Sequence, residues 1–553
     1  MLWPRFLAAL LLCVLHLHAA QPVRARKAMV VSREPHATDA GLAVLKAGGN
    51  AVDAAVAVGL ALAVTHPSAG NIGGGGFMLI RLAGGQTTFI DFRERAPQSS
   101  SRNMYLDIHG EPTKDSTLGW RASGVPGTVR GLDLAHRKYG RSKWADLVAP
   151  AVRLARDGFP VSWGLAQSLR NSKKLSQFPE SRKIFLNGGA HFEPGDLFRQ
   201  PGLAATLERI AAGAADFYEG ETARLFAEEM AKHGGEITLA DLNAYQAVER
   251  KPLEGSYRAY TIYTAPPPSA GGLGLLHMLG VLEGSGYEKG GAGSAASIHF
   301  VAETMRRYYA DRSEYVADPD FQHVPVRQLL DPRYIESRRR SIDPNRAAPS
   351  DSIKPGDLKA YESTETTHYS VVDQEDNAVA VTYTLNNGYG SGVTVPGLGF
   401  LLNDEMDDFS VKPGFPNGFG LVQGERNRIE PGKRPLSNMT PTILLRDGKL
   451  YMVVGTPGGA RIINSVLQTI LNVIDFGMNM QDAVNWPRFH HQWRPDRLEV
   501  EPGVSPDTRA LLSERGHALE SIRSFCEVAA IRVEGGWLEG AADNRVEGKA
   551  AGY

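Results

Sequence analysis

The chain has 553 residues, 60 Lys and Arg against 61 Asp and Glu, a formal net charge of −1 and 42% hydrophobic residues. With no sustained basic block, this balance excludes nucleic acid and an anionic membrane surface as main partners and points to a large globular protein with a small ligand. At roughly 100–200 residues per domain, length alone predicts three to five domains.

Residues 1–20 read as a secretory signal rather than as part of the fold. Arg5 precedes the apolar run 6–17, and Ala19 and Ala20 supply the small residues of a cleavage site. About twelve apolar residues are too few for a stable membrane span, which takes roughly twenty. The expected location is the periplasm or the medium. Cys13 leaves with the signal and Cys526 remains alone, so no internal disulfide is expected and stability must come from a big core. The only Asn-x-Ser/Thr acceptor is Asn438-Met439-Thr440, which argues against a heavily glycosylated extracellular protein.

In the mature chain, Gly48-Gly49-Asn50 introduces the small apolar stretch 51–64, whose one charge is Asp53; it predicts a buried helix. The glycines 73–76 lead into two predicted strands, 77–82 and 87–92. A dinucleotide fingerprint follows a strand and opens a helix, and a nucleoside-triphosphate loop ends in Gly-Lys-Ser/Thr. Here the glycines precede a strand and no such Lys follows, so both nucleotide readings are rejected. From Leu118 to about Arg340 apolar periodicity predicts mainly helices, broken at Ala265-Pro266-Pro267-Pro268, a scaffold without evident chemistry. Residues 341–365 carry few large apolar side chains among Pro344, Pro349, Pro355 and Gly356, and predict an exposed linker.

Beyond it, 368–373 and 378–384 alternate and are rich in Val, Thr and Tyr, as a β-hairpin would be. A glycine-rich loop from Gly388 to Gly399, the acidic run Asp404–Asp408 and a Gly/Pro-rich loop, 413–424, follow. Then come Pro435-Leu436-Ser437-Asn438-Met439, a strand at 450–454, Gly455-Thr456-Pro457-Gly458-Gly459, and a helix whose apolar face begins at Ile462.

The junction Glu365-Thr366-Thr367-His368 brings a linker directly into a core strand. Cleavage before Thr366 would make that threonine an N-terminus. Its hydroxyl is a weak nucleophile until a base accepts the proton, and a free α-amine, titrating at about 7.7–8.0, can serve. Taken alone, Thr366 and Thr367 read as the start of a strand. Arg93 reads as the partner of Glu94 at a strand end, and 404–408 as a solvated loop.

The flanking segments narrow these readings. Thr366-Thr367-His368-Tyr369-Ser370-Val371-Val372-Asp373 resembles the start of the small subunit of the γ-glutamyltranspeptidases, autoprocessing N-terminal-nucleophile hydrolases. Gly48–Ala55, Asp91-Phe92-Arg93-Glu94, Asn403–Phe409, Pro435-Leu436-Ser437 and Gly455–Arg461 occur in that family's order and spacing. The resemblance implies an α/β fold, a four-layer αββα sandwich with one intertwined core from two autoprocessed subunits, 21–365 and 366–553. It implies Thr366 as nucleophile with its own α-amine as base, Thr384 orienting the hydroxyl, and the amides of Gly458 and Gly459 as the oxyanion hole. Arg93, with Ser437 and Asn438, would take the donor's α-carboxylate; Glu405 and Asp408 would hold its ammonium, and Asn386 would support both ends.

On this reading glutathione and other γ-glutamyl compounds are donors, water or the amine of an amino acid or dipeptide is the acceptor, and no metal or organic cofactor takes part. His368, on the face of Thr366 by strand alternation, is read as structural, and the adjacent His490 and His491 as no metal pair. Asn438 stands where many members have a second Ser. Phe419 stands where some place a Tyr whose hydroxyl latches the 413–424 loop; a Phe leaves that lid held by packing. Two alternatives stay open: an acylase of the same fold for glutaryl or cephalosporin amides, and an exported solute-binding protein that would give an N-terminal Thr no role.

Overall fold

The computed structural model describes residues 20–356, 367–412, 415, 425–524 and 526–553. The apolar run of the signal, the Glu365–Thr366 junction with Thr366 itself, and Phe419 lie outside the described residues.

Two seven-stranded antiparallel sheets form the centre. The first runs, across its width, Lys549–Gly552, Met29–Ser32, Thr367–Val372, Ala378–Thr384, Gly75–Arg81, Thr87–Asp91 and Val248–Arg250. The second runs Val23–Ala25, Trp537–Ala542, Ala529–Glu534, Lys449–Gly455, Thr442–Arg446, Tyr260–Thr264 and Leu253–Tyr257. Side chains alternate across each pleat, so each sheet offers two apolar faces. Val30, Met78, Ile80, Val371 and Val379 of the first sheet pack outward into a core shared with the helices Pro35–Lys46, Ala51–Thr65 and Trp144–Asp157. Met29, Val31, Phe77, Leu79 and Val372 pack inward against Ile443, Val453, Ile531 and Leu538 of the second sheet. The second sheet's outer face, with Ile262, Leu444, Met452 and Val454, meets the helices Gly271–Leu282, Ala295–Tyr315 and Arg461–Ile474. The result is the αββα sandwich.

Both sheets interleave strands from before and after the 357–366 segment. The three to five domains suggested by length therefore give way to one core that both parts of the chain build. The expected buried helix spans Ala51–Thr65, with every residue buried. Its lone charge has a cause: Asn50 and Asp53 form a reciprocal capping box, and the Asp53 carboxylate also accepts the amides of Arg141 and Ser142.

Two expectations need correction. The helical stretch 118–340 contains the hairpin Leu253–Tyr257/Tyr260–Thr264 at the edge of the second sheet. Its outer strand buries only Tyr257, so no apolar alternation marked it. The predicted linker, exposed over most of 341–356, is nonetheless anchored as far as residue 356. Ile342 and Ala347 are buried, the Ala347 amide donates to the Arg515 carbonyl at 2.7 Å, and the Ser350 amide donates to Asp496 at 2.7 Å.

Candidate active site

One end of the sandwich gathers the start of the Thr367 strand, the end of its neighbour at Thr384, the start of the Gly75 strand and the end of the strand that finishes at Asp91. The Gly73–Gly76 run gains its reason here. A Cβ on Gly74 would lie 2.0 Å from the Thr384 carbonyl oxygen, and one on Gly75 2.7 Å from the Glu94 carboxyl, so the glycines admit backbone and carboxylate at a distance no side chain allows.

Arg93 follows that strand and is fully buried. Its amide donates to Asp91 at 3.0 Å and its carbonyl accepts from the Tyr245 hydroxyl at 2.8 Å, which fixes the backbone. Its guanidinium forms ion pairs with Glu405 and Asp408, donates to the Leu436 carbonyl at 2.8 Å and to the Pro435 carbonyl at 3.2 Å, and lies 3.5 Å from Glu94. Burial alone would depress its pKa, but the carboxylates of Glu405, Asp408 and Glu94 outweigh it and the pKa is raised. Glu405 and Glu94 are pushed up chiefly by burial, with Arg93 opposing. One Glu405 oxygen and both Glu94 oxygens find no hydrogen-bond partner of ordinary geometry among the described residues.

The acidic run is thus no solvated loop. Glu405–Asp408 forms a buried 3-10 turn, hung from Asn403. The Asn403 side chain donates to the carbonyls of Gly73 at 2.9 Å and Gly124 at 2.8 Å and accepts the Glu405 amide at 3.0 Å. Asn386, at a positive φ of 75°, donates its side-chain amide to the Asp404 carbonyl at 2.9 Å, so it braces the turn from behind.

Ser437 and Asn438 close the other side. The Ser437 hydroxyl oxygen accepts the Met439 amide at 3.2 Å, leaving its proton free to donate. Asn438 is fully buried, and its carbonyl oxygen accepts from Arg312. Because an arginine can only donate, this fixes which way the amide points. The Asn438 Nδ2 then has no partner among the described residues. Arg312 lies in the stretch read as scaffold, and that reading is corrected: it orients one wall of the site.

Thr384 Oγ1 accepts the Asn386 amide at 2.8 Å, so its proton too is available. Gly458 and Gly459 have φ of 132° and 63° and precede the helix Arg461–Ile474, whose N-cap is Ala460. Their carbonyls accept the amides of Arg461 and Ile462, which turns the glycine backbone at the positive end of a helix dipole, a setting that favours an anion. Cys526 backs this turn. A Cβ on Gly458 would meet its sulfur at 2.2 Å, and burial pushes its thiol up to about 12, so it packs as a neutral group.

His368 is buried, bonded to Thr382 Oγ1 at 2.8 Å and Ser370 Oγ at 3.1 Å. Burial pushes its pKa down to about 3, which leaves a neutral ring with both nitrogens engaged, a structural role. His490 bonds to Asn464 at 2.7 Å and Gln492 at 2.9 Å, and no cluster of metal-ligating side chains occurs among the described residues.

Arg93, Glu405, Asp408, Asn386, Ser437 and Asn438 therefore converge from four separate stretches of chain on one buried cluster. In chemical terms it presents one cation, at least two carboxylates and neutral donors, the complement of an α-amino-acid head, which carries one charge of each sign. Sequence reasoning missed Asn403 and Arg312 as supports. Asn403 heads the same acidic motif and could have been found there.

A family model described as Gamma-glutamyltranspeptidase matches residues 37–553. The chain belongs to the gamma-glutamyltranspeptidase family. It is 51% identical over 538 residues to the glutathione hydrolase proenzyme of Escherichia coli (strain K12), a match covering 96% of this chain and 93% of that protein. Among solved structures, cephalosporin acylase from Bacillus halodurans superposes with a TM-score of 0.86 at 28% identity, covering 100% of this chain and 99% of that one. Helicobacter pylori gamma-glutamyltranspeptidase matches with a TM-score of 0.58 at 45% identity, covering 59% of this chain and 94% of that one. The acylase shares the fold over the whole length, but identity is far higher to the glutathione hydrolase and transpeptidase relatives. As a gamma-glutamyltranspeptidase, the chain carries every segment of the buried cluster inside the matched residues.

Proposed function

We propose that this gamma-glutamyltranspeptidase is exported to the periplasm or the medium, cleaves itself between Glu365 and Thr366, and works as a heterodimer of 21–365 and 366–553. Among the described residues no helix is long and apolar enough to cross a membrane. Thr366 attacks the γ-carbonyl carbon of glutathione or another γ-glutamyl amide, giving its hydroxyl proton to its own α-amine. Thr384 orients that hydroxyl, and the Gly458 and Gly459 amides hold the oxyanion of the tetrahedral intermediate, where one such donor is worth about 3–4 kcal/mol in other enzymes. The C–N bond breaks, the leaving amine takes the proton, and a γ-glutamyl ester of Thr366 remains. Water, or the amine of an amino acid or dipeptide, then cleaves the ester, giving hydrolysis or transpeptidation. No metal or organic cofactor is needed for these steps.

The observation that carries this reading is the buried cluster beside the start of the Thr367 strand. Arg93 with Ser437 and Asn438 would take the α-carboxylate, Glu405 and Asp408 the ammonium, and Asn386 would brace both. Here Arg93 is shared between Glu405 and Asp408; a zwitterionic head would give Arg93 a carboxylate of its own and the two acidic side chains an ammonium, so that neither sign is buried without an opposite charge beside it. An acylase for glutaryl amides has no ammonium to offer Glu405 and Asp408. Release of p-nitroaniline from γ-glutamyl-p-nitroanilide, with glutaryl-p-nitroanilide turned over at least about a hundredfold more slowly, is the expected result; preference for the glutaryl compound would reverse the assignment.

A further inference from the structure

The helix Ala295–Tyr315 does more than orient Asn438. Glu303, Arg307, Asp311 and Tyr315 follow one another at four-residue intervals, so they line one face, and all four are buried. The segment 341–356 lies against this row. Arg307 donates to Ser341 Oγ at 2.6 Å and to the Ser341 carbonyl at 2.5 Å. Asp311 accepts the Gly356 amide at 2.8 Å, and the Tyr315 hydroxyl donates to the Gly356 carbonyl. Beside the row, Arg306 donates to Ser350 Oγ at 2.6 Å.

Residues from beyond the junction grip the same segment. Besides Asp496, which takes the Ser350 amide, Trp493 Nε1 donates to the carbonyls of Ser350 at 2.9 Å and Ile353 at 3.0 Å. The only apolar side chains that 341–356 buries are Ile342 and Ala347, so polar bonds rather than apolar burial hold it. Gly356 is the tightest point. A Cβ there would lie 2.1 Å from the Tyr334 hydroxyl and 2.7 Å from its ring, so glycine alone lets the backbone reach Asp311 and Tyr315. Only 357–365 separate Gly356 from Thr366, and the strand Thr367–Val372 fixes the chain just past that residue. The chain is thus pinned on both sides of the Glu365–Thr366 bond.

We propose that Arg307, Asp311 and Tyr315 form a clamp on 341–356 that positions the upstream side of this bond for self-cleavage. This rests on the self-cleavage proposed above. In that step Thr366 Oγ bonds to the Glu365 carbonyl carbon, and its proton passes to the Thr366 nitrogen as the C–N bond breaks. Water then hydrolyses the ester, leaving the Glu365 carboxylate and a free Thr366. The shift is fast only while hydroxyl and carbonyl keep one arrangement, and a tether pinned at both ends has fewer arrangements than one pinned at a single end. The three are positioning residues. They act through the segment they hold, and turnover by the processed enzyme does not need them.

The test follows the full chain, radiolabelled by cell-free synthesis, over time on denaturing electrophoresis, and then assays the processed enzyme with γ-glutamyl-p-nitroanilide. Gly356→Ala alters the held segment and not the core, and Tyr315→Phe removes one bond while keeping the ring. Each lengthens the half-time of cleavage about three- to tenfold. Once processed, each turns over with kcat/KM within about twofold of wild type and with the wild-type urea midpoint, a separation that a merely structural role would not give. Unchanged half-times in both variants overturn the clamp. So does a kcat/KM that falls in step with the slower cleavage, which marks general damage to the fold. A wild-type chain that never splits sinks self-cleavage itself, and the clamp with it.

Discussion

On one side of the Thr367 strand, Arg93, Glu405 and Asp408 are fully buried and pair with one another; on the other, Arg33 and Glu527 form a single ion pair at the wall of an open cavity. Both sides hold an arginine facing carboxylate, so residue type does not distinguish them. Their difference is desolvation. Charges withdrawn from water need an opposite charge beside them, which on the function proposed above suits the first side to a ligand that brings both signs. Charges left near water tolerate incomplete pairing, as the partly exposed Arg33–Glu527 pair does.

Breaking the closed side should cost most. Arg93→Met leaves Glu405 and Asp408 buried without a counter-charge and should destabilise the protein by about 3–5 kcal/mol, read as a lower urea midpoint. The matching change on the open side, Arg33→Met, should cost under about 1 kcal/mol. Equal losses would erase the comparison. Next, Gly458→Ala forces a Cβ onto the Cys526 sulfur at a φ of 132°. It should lower kcat about 10²–10³-fold with a much smaller effect on KM, as loss of an oxyanion donor does; a KM effect with kcat intact would remove Gly458 from that role. With Asn438 facing the donor's carboxylate, as proposed above, Asn438→Ala should raise the donor KM about tenfold, with a much smaller change in the acceptor KM.

The last effect is a dependence on pH. The His368 pKa is about 3 in the fold and about 6.5 in the unfolded chain. Above about 6.5 neither state binds the proton and the stability is fully present. As pH falls from about 6.5 to 3 only the unfolded chain takes it up, so stability falls by about 1.4 kcal/mol per pH unit from this group. His368→Gln should remove that slope from urea midpoints measured between pH 4 and 6, a range set by the same linkage.

Much of the fold is legible in the sequence. The helix Ala51–Thr65, the hairpin Thr367–Val372/Ala378–Thr384 and the helix Arg461–Ile474 follow from local apolar patterns. The site was legible only through its resemblance to a family, because Arg93 and Glu405 are 312 residues apart and no periodicity links them. Arg312 was not legible at all. On the helix Ala295–Tyr315, Glu303, Arg306, Arg307, Asp311 and Arg312 are all buried, whereas charged residues on a helix ordinarily read as its wet face. Glu303 pairs with Arg306 and Arg307 on the same helix, but further partners lie elsewhere in the chain, Asp496 for Arg306 and Asn438 for Arg312. A sequence pattern records the charge and not the distant group that satisfies it. The anchoring of the largely exposed segment to residue 356 was hidden for the same reason, its anchors being Arg515 and Asp496.

The central claim is that Thr366 becomes an N-terminus and then the nucleophile. Its most direct test is N-terminal sequencing, with intact mass, of the bands that purified protein gives on denaturing electrophoresis, for wild type and Thr366→Ala. The account predicts a smaller wild-type band beginning Thr366-Thr367-His368 and a single uncut, inactive chain for the variant. A wild-type protein that stays one chain while hydrolysing γ-glutamyl-p-nitroanilide, or a variant cut at the same bond, would contradict it.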